Sequence, residues 1–327
     1  MELLKKNKAI VAAMCANFIV ALMKFIVSAI SGSASMFSEA IHSAADTMNQ
    51  IVLLIGKKRA EKVPDQKHPF GYARSTFFAS FIVASFLFFI GGAFSLFEAI
   101  EKIGHIVQGS GLHGLERNSM IIAAAILFVS IGLEVFSLRT AIREVREEQR
   151  LTGVNTGLWR FYRDTNNASL IVIVTEDLAA VIGLSLALAG VLATLATGNP
   201  LFDAIGGAAV GALLIVAAFV LGKEIASLII GESLRSSKLK EIEKIAESAP
   251  HVKKCHRIKS DALGSDAILI EMDIEFEDAQ SLSTGEAILS IELIKRGIKN
   301  SFSEEGIYVS TCVEPVRAEK YEELETN

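Results

Sequence analysis

The chain has 327 residues, 51% of them hydrophobic and 21% charged, with a formal net charge of −5. So slight a charge argues against nucleic acid as a partner, and Cys15, Cys255 and Cys312 fall at spacings that suit neither a disulfide framework nor a CxxC metal site. The mean hydropathy is +0.44, and long stretches almost free of charge alternate with short charged blocks. That pattern predicts membrane spans, each needing about 20 mostly apolar residues.

The first span is predicted from about Ala9 to Ile30. Basic residues before it imitate a signal peptide, but the apolar run continues without a convincing cleavage site and reads as a span. An uncharged turn, Ser31 to Ser35, leads to a second and more polar span, Met36 to Gly56. Lys57 to Arg74 is charged, contains Pro64 and Pro69, and reads as a loop. A third span follows from Thr76 to Ile100. Glu101 to Arg117 carries Gly104, Gly109, Gly111 and Gly114 and is predicted to be an exposed loop. The fourth span, Met120 to Leu138, should continue as a helix through Arg143 and Arg150. The fifth lies between Ala168 and Ala196. The turn Thr197-Gly198-Asn199-Pro200 separates it from a sixth that ends near Ile230 and has Gly207 and Gly211 at close-packing spacing.

Basic residues set the orientation. Lys5, Lys6 and Lys8 precede span one, six more lie between spans two and three, and six between spans four and five; the alternate loops hold only Lys102 and Arg117. Both termini are therefore expected in the cytoplasm or its equivalent, which requires an even number of spans. From Gly231 the chain reads as soluble protein. A helix is predicted at Ser237 to Ser248, with strands at Lys253 to Lys259 and Ala267 to Glu277. In the second strand Ile268, Ile270, Met272, Ile274 and Phe276 alternate with Leu269, Glu271, Asp273 and Glu275, the period of a half-buried strand. Ser283 and Glu286 have the spacing of a capping box opening a second helix, and Gly306 to Pro315 is a last strand. The expectation is an α-helical membrane protein with six transmembrane helices plus a small α+β cytoplasmic C-terminal domain. The domains are placed at 1–230 and 231–320, with a tail at 321–327.

Ionisable residues inside a span cost about 2.5–3.5 kcal/mol near the bilayer centre, which makes each one a functional candidate. Glu39, His42 and Asp46 of span two share one helical face by their spacing. Glu176 and Asp177 are adjacent near the middle of span five. Glu98, Glu134 and Asp203 are isolated; the first two read as span-end or packing residues. Imidazole and carboxylates converging in a low-dielectric site suit a divalent transition metal: zinc takes such ligands, and manganese, iron and cobalt accept the same atoms. Metal and protons could exchange at one such place. The residues alone equally allow His42 and Asp46 to pair with each other, or to line a hydrated crevice.

The motifs together resemble the cation diffusion facilitator family. Ser38 to Gln50, with His42 and Asp46, looks like that family's HxxxD metal motif. His68-Pro69-Phe70-Gly71-Tyr72 resembles its HPxG loop, and Ile230-Gly231-Glu232-Ser233 is similar to its hinge into the cytoplasmic domain. The resemblance implies a homodimeric, proton-coupled exporter of divalent metal with a ferredoxin-like cytoplasmic domain. It implies no enzymatic activity and no prosthetic group; the bias of the basic residues suits a bacterial inner membrane, with an organellar one as the alternative. The cargo would be Zn2+ foremost, with Mn2+, Fe2+ and Co2+ as further candidates.

One departure stands in span five. The family's usual pattern has a ligand four residues before an Asp; if Asp177 is that Asp, the earlier position is Ile173, which binds no metal. The pair Glu176-Asp177 resembles the family's branch with an acidic pair in that span. Adjacent residues point about 100° apart on a helix, so both reaching one ion needs a distortion or a partner helix, and Glu39 is a further candidate ligand. The expected metal residues are therefore His42, Asp46, Asp177, Glu176 and Glu39. In the tail, His256, Cys312 and Glu314 fall where related proteins hold cytoplasmic metal. Two other readings stay open: a proton-coupled carrier of a non-metal solute, and a non-transporting membrane metal sensor or scaffold.

Overall fold

The structure is a computed structural model and describes residues 8–108, 117–151, 157–277, 282–303 and 306–316. The elements in chain order begin with helices α1 (Lys8–Ser31), α2 (Ala34–Ala60), α3 (Ser75–Val107) and α4 (Arg117–Leu151). After them come α5 (Leu158–Asp164), α6 (Ala168–Thr197), α7 (Leu201–Ile230) and α8 (Ser236–Glu247). The chain then forms β1 (Val252–Gly264), β2 (Ala267–Phe276), α9 (Thr284–Ser301) and β3 (Tyr308–Val316). They gather into two compact units. The first comprises Met1–Gly56, Phe78–Glu148 and Ser169–Ala226; the second comprises Lys57–Phe77, Gln149–Ala168 and Ser227–Asn327.

In the first unit, α3, α4, α6 and α7 are each long and apolar enough to cross a membrane. α2 has the length, 27 residues, but its serines and the polar series Glu39, His42, Asp46, Asn49 and Gln50 make it too polar to qualify on composition. α1 is apolar through Phe18–Ser31. Outward-facing side chains suit hydrocarbon rather than water: Phe128 and Phe136 are both 71% exposed. Glycines let the helices approach closely, as their spacing predicts. A Cβ on Gly207 would come within 3.0 Å of the Ala34 backbone, and one on Gly211 within 2.7 Å of Leu96 N. Gly92, in the π-helical stretch Leu87–Phe94 of α3, is backed in the same way by Ile215 of α7.

Two predicted loops shrink. α2 continues to Ala60, and the cations of its last turn, Lys57, Lys58 and Arg59, complement the helix C-terminus. Helix α3 runs on to Val107, so Glu101–Val107 is helical rather than loop. Gly104 is a tolerated helix residue with open space beside it; Gly109, Gly111 and Gly114 lie outside the described residues. α5, which has no counterpart among the predicted elements, occupies part of the charged connection after α4.

In the second unit, β1 and β2 are antiparallel and β2 and β3 parallel, giving one sheet in the order β1-β2-β3. The alternating residues Ile268, Ile270, Met272, Ile274 and Phe276 are buried with Ile242, Ile294 and Ile298 of the two helices. Each such side chain contributes about 1.5–3 kcal/mol. Strand β1 extends beyond the predicted Lys259 because Ser260–Gly264 pairs with Ala267–Ile270 across a tight hairpin. The supposedly solvent-facing side of β2 is partly covered: Asp273 is fully buried against Arg257, at 2.9 Å. The predicted capping box is present, with Ser283 Oγ accepting from the Glu286 amide. Cys255 is buried and Cys312 exposed. Burial, aided by Glu243, Glu247 and Asp273, pushes the Cys255 thiol up to about 12. Alkylation near pH 8 followed by peptide mass spectrometry should therefore modify Cys312 at least about tenfold faster than Cys255; equal rates would contradict the buried placement.

Candidate functional site

The polar stripe of α2 is longer than its sequence motif. Glu39, His42, Asp46 and Asn49 follow one another at intervals of three, four and three, so they lie along one helix face. Glu39 and Asn49 are fully buried, His42 is 2% exposed, and the Asp46 side chain is 20% exposed. His42 Nδ1 lies 3.6 Å from Asp46 Oδ1, too long for a hydrogen bond. Among the described residues neither ring nitrogen of His42 makes a hydrogen bond, nor do Asp46 Oδ1 and Glu39 Oε1. Such atoms are costly in a low-dielectric interior unless something else satisfies them. Their donor chemistry, imidazole nitrogen with carboxylate oxygen, is that of a divalent metal ligand set.

The helix geometry of α6 separates the acidic pair. Glu176 is buried and faces α2, where Asn49 Nδ2 donates to its Oε1. Asp177, the next residue, faces α4, where Ser137 Oγ donates to its Oδ2 at 2.9 Å. The two carboxylates therefore reach toward different neighbours, as the roughly 100° step between adjacent residues requires. Glu176 is hydrogen-bonded to the His42 helix, and its charge interacts first with Asp46 and then with Asp177 and Glu134; Asp177 also interacts electrostatically with Asp46.

Glu39 has another partner. The ammonium of Lys24, on α1, lies 3.4 Å from its Oε2 and donates to Ser43 Oγ at 2.7 Å. Its free Oε1 points at α6 where Gly183 leaves room; a Cβ there would come within 3.1 Å of it. Along α2, Glu39 is about 10 Å from Asp46, from the seven-residue separation. Sequence reasoning passed over Lys24, although a lone charge in an apolar span was the available signal. It also set aside Glu134. That residue sits one turn before Ser137 on α4 and interacts electrostatically with Asp46, His42 and Asp177, so it belongs to the same polar region rather than to packing. Asp203 has a structural task. Its carboxylate accepts from Ser33 Oγ at 2.5 Å, the Ala34 amide at 2.7 Å and the Ser35 amide at 3.3 Å, which caps the start of α2 from another helix. Lys102 adds an ion pair at 3.3 Å and donates to the Gly32 carbonyl.

The loop of the second unit is closed on itself. Asp65 accepts from the His68 amide at 2.7 Å and from the Tyr72 hydroxyl at 2.6 Å, and His68 and Tyr72 stack at 4.2 Å. The Tyr72 bond, then the His68 amide, holds the Asp65 carboxyl below its ordinary range. Gly71 supplies a left-handed φ of +82° at the turn. His68 thus has a structural place in the loop. In the C-terminal sheet, His256 is engaged by Glu275 at 2.7 Å. Among the described residues, the group of three ligand-type side chains whose atoms lie within 4.8 Å of one another is Glu271, Asp273 and Glu314. Of the expected tail residues only Glu314 belongs to it, and Arg257 already pairs with Glu271 and Asp273.

A bundle of apolar helices carrying a face of imidazole and carboxylate groups without hydrogen bonds among the described residues, together with a separate α+β unit, defines a polytopic membrane protein. The model of the cation efflux transmembrane domain matches residues 10–230, and that of the cation efflux protein cytoplasmic domain matches residues 234–315. The chain belongs to the cation diffusion facilitator family of metal cation efflux transporters. It is 32% identical over 272 residues to the human protein named proton-coupled zinc antiporter SLC30A9, mitochondrial, covering 83% of this chain and 46% of that one. It is 29% identical to metal tolerance protein C4 of Arabidopsis thaliana, covering 83% and 57%. Magnetosome protein MamB of a Magnetospira strain is 24% identical, covering 84% of each chain. The chain spans about half the length of the first of these relatives.

Proposed function

We propose that the chain exports divalent transition metal ions, zinc foremost, from the cytoplasm in exchange for protons. It does so as a six-span homodimer with both termini in the cytoplasm, in the bacterial inner membrane or an organellar equivalent, and as a carrier rather than an enzyme. The transmembrane part is residues 1–230 and the cytoplasmic part 231–320. The single observation that carries this reading is the α2 face on which the His42 ring nitrogens and Asp46 Oδ1 are buried without hydrogen bonds among the described residues, one turn from Asn49, which donates to Glu176 of α6. His42, Asp46 and Glu176 form the core of the ion shell. Asp177 joins by releasing Ser137, a side-chain rotation that could accompany rocking of α6 against α4. Glu39, held by Lys24, is left outside the shell. Names of relatives that include zinc and proton coupling support the same cargo and counter-ion.

In each cycle metal enters from the cytoplasmic side and exchanges the carboxylates' protons for its own charge. The helices then rock, and protons from the other side displace it. A transport assay in proteoliposomes, with competing metals over a pH series, tests this. Zinc uptake should follow the imposed proton gradient and collapse when an ionophore removes it. Zinc flux indifferent to the gradient, or proton flux driven by another solute with no zinc binding, would overturn the proposal.

A further inference from the structure

Asn49 lies one turn beyond Asp46 on the polar face of α2 and is fully buried. Its Nδ2 donates to Glu176 Oε1 of α6. An ionised carboxylate, the form that binds metal, only accepts hydrogen bonds, so the amide nitrogen faces it and the amide oxygen is turned away. That oxygen, Asn49 Oδ1, is buried and makes no hydrogen bond among the described residues. Burying a polar atom unbonded is costly. As packing, a carboxamide is therefore a poor choice here, because an aliphatic side chain of similar size would strand no such atom. What Asn49 supplies is a donor to Glu176, from a position one turn away from Asp46 on the same helix.

Resting on the functional reading above, we propose that Asn49 sets metal specificity by occupying one of the two oxygens of Glu176. With Oε1 engaged by the amide, Glu176 offers an ion its other oxygen alone. Zinc takes about four ligands in a tetrahedral array, and one oxygen from each carboxylate suits it. Manganese prefers about six oxygen-rich ligands in an octahedral array. A carboxylate free to present both oxygens helps to fill that larger shell, as it does for other hard cations. Asn49 does not touch the ion. It is a positioning residue that acts through Glu176, and the class of ion it disfavours is the larger, oxygen-preferring dication.

The test is the ratio of zinc to manganese uptake by the full-length protein in proteoliposomes, with both ions present in competition. A ratio does not depend on how much of a variant folds. Asn49→Leu removes the donor and the stranded oxygen while filling similar space, and Asn49→Ala is the second variant if leucine prevents folding. Either should shift the ratio toward manganese by about tenfold, the lower end of what an outer partner of a metal ligand contributes. Where a variant's uptake is too low to measure, competition binding of the two ions to the purified full-length protein gives the same ratio. A parallel loss of both ions, with the ratio unchanged, would show a structural role. That result, or a shift toward zinc, overturns the inference alone. Wild-type protein with no gradient-driven zinc uptake would instead overturn the functional reading, and the inference with it.

Discussion

Alanine at His42 is expected to lower zinc transport by at least about 100-fold, since loss of an outer partner of a metal ligand already costs 10–100-fold. The same change should leave the fold intact. Neither ring nitrogen of His42 makes a hydrogen bond among the described residues, so truncation breaks none there. Asp177→Ala should reduce transport as well, but there the Ser137 hydroxyl loses its acceptor. Uptake into sealed vesicles, normalised to folded protein, measures both. Unchanged transport in the two variants would remove the proposed shell.

The largest stability effect is expected at Asp203. Its carboxylate is fully buried and holds a serine hydroxyl, two backbone amides at the start of α2, and Lys102. Asp203→Ala deletes the cap and leaves the Lys102 ammonium without its acid. Breaking a buried, hydrogen-bonded charge site in this way typically costs about 3–5 kcal/mol. Thermal unfolding in detergent should show a clear drop in midpoint, and Asp203→Asn should recover part of it, since an amide oxygen can still accept from the Ala34 amide. A midpoint equal to wild type would mean that α2 is held by its packing on Gly206 and Gly207 alone.

Much of this was legible in the chain itself, for physical reasons that also mark the limits. Long apolar runs separated by basic loops have few structural solutions, so the helices fall close to their predicted ends. The alternation at Ile268–Phe276 determined the core face of β2 in the same way. Glycine misled at Gly104, because one glycine in an otherwise periodic stretch does not stop a helix. Side-chain choice within a polar face was less legible. Periodicity put Glu39, His42 and Asp46 together, but whether Glu39 turns to metal or to Lys24 depends on how α1 packs beside α2. Likewise the divergence of Glu176 and Asp177 was visible from helix geometry, whereas their partners, Asn49 and Ser137, lie on other helices and leave no local signature.

Whether a divalent ion sits between α2 and α6 is tested most directly by a zinc anomalous-difference map from crystals of the full-length protein. The predicted result is a peak within bonding distance of His42, Asp46 and Glu176. A peak confined to Glu271, Asp273 and Glu314 in the C-terminal sheet, with none at the α2 face, would contradict it.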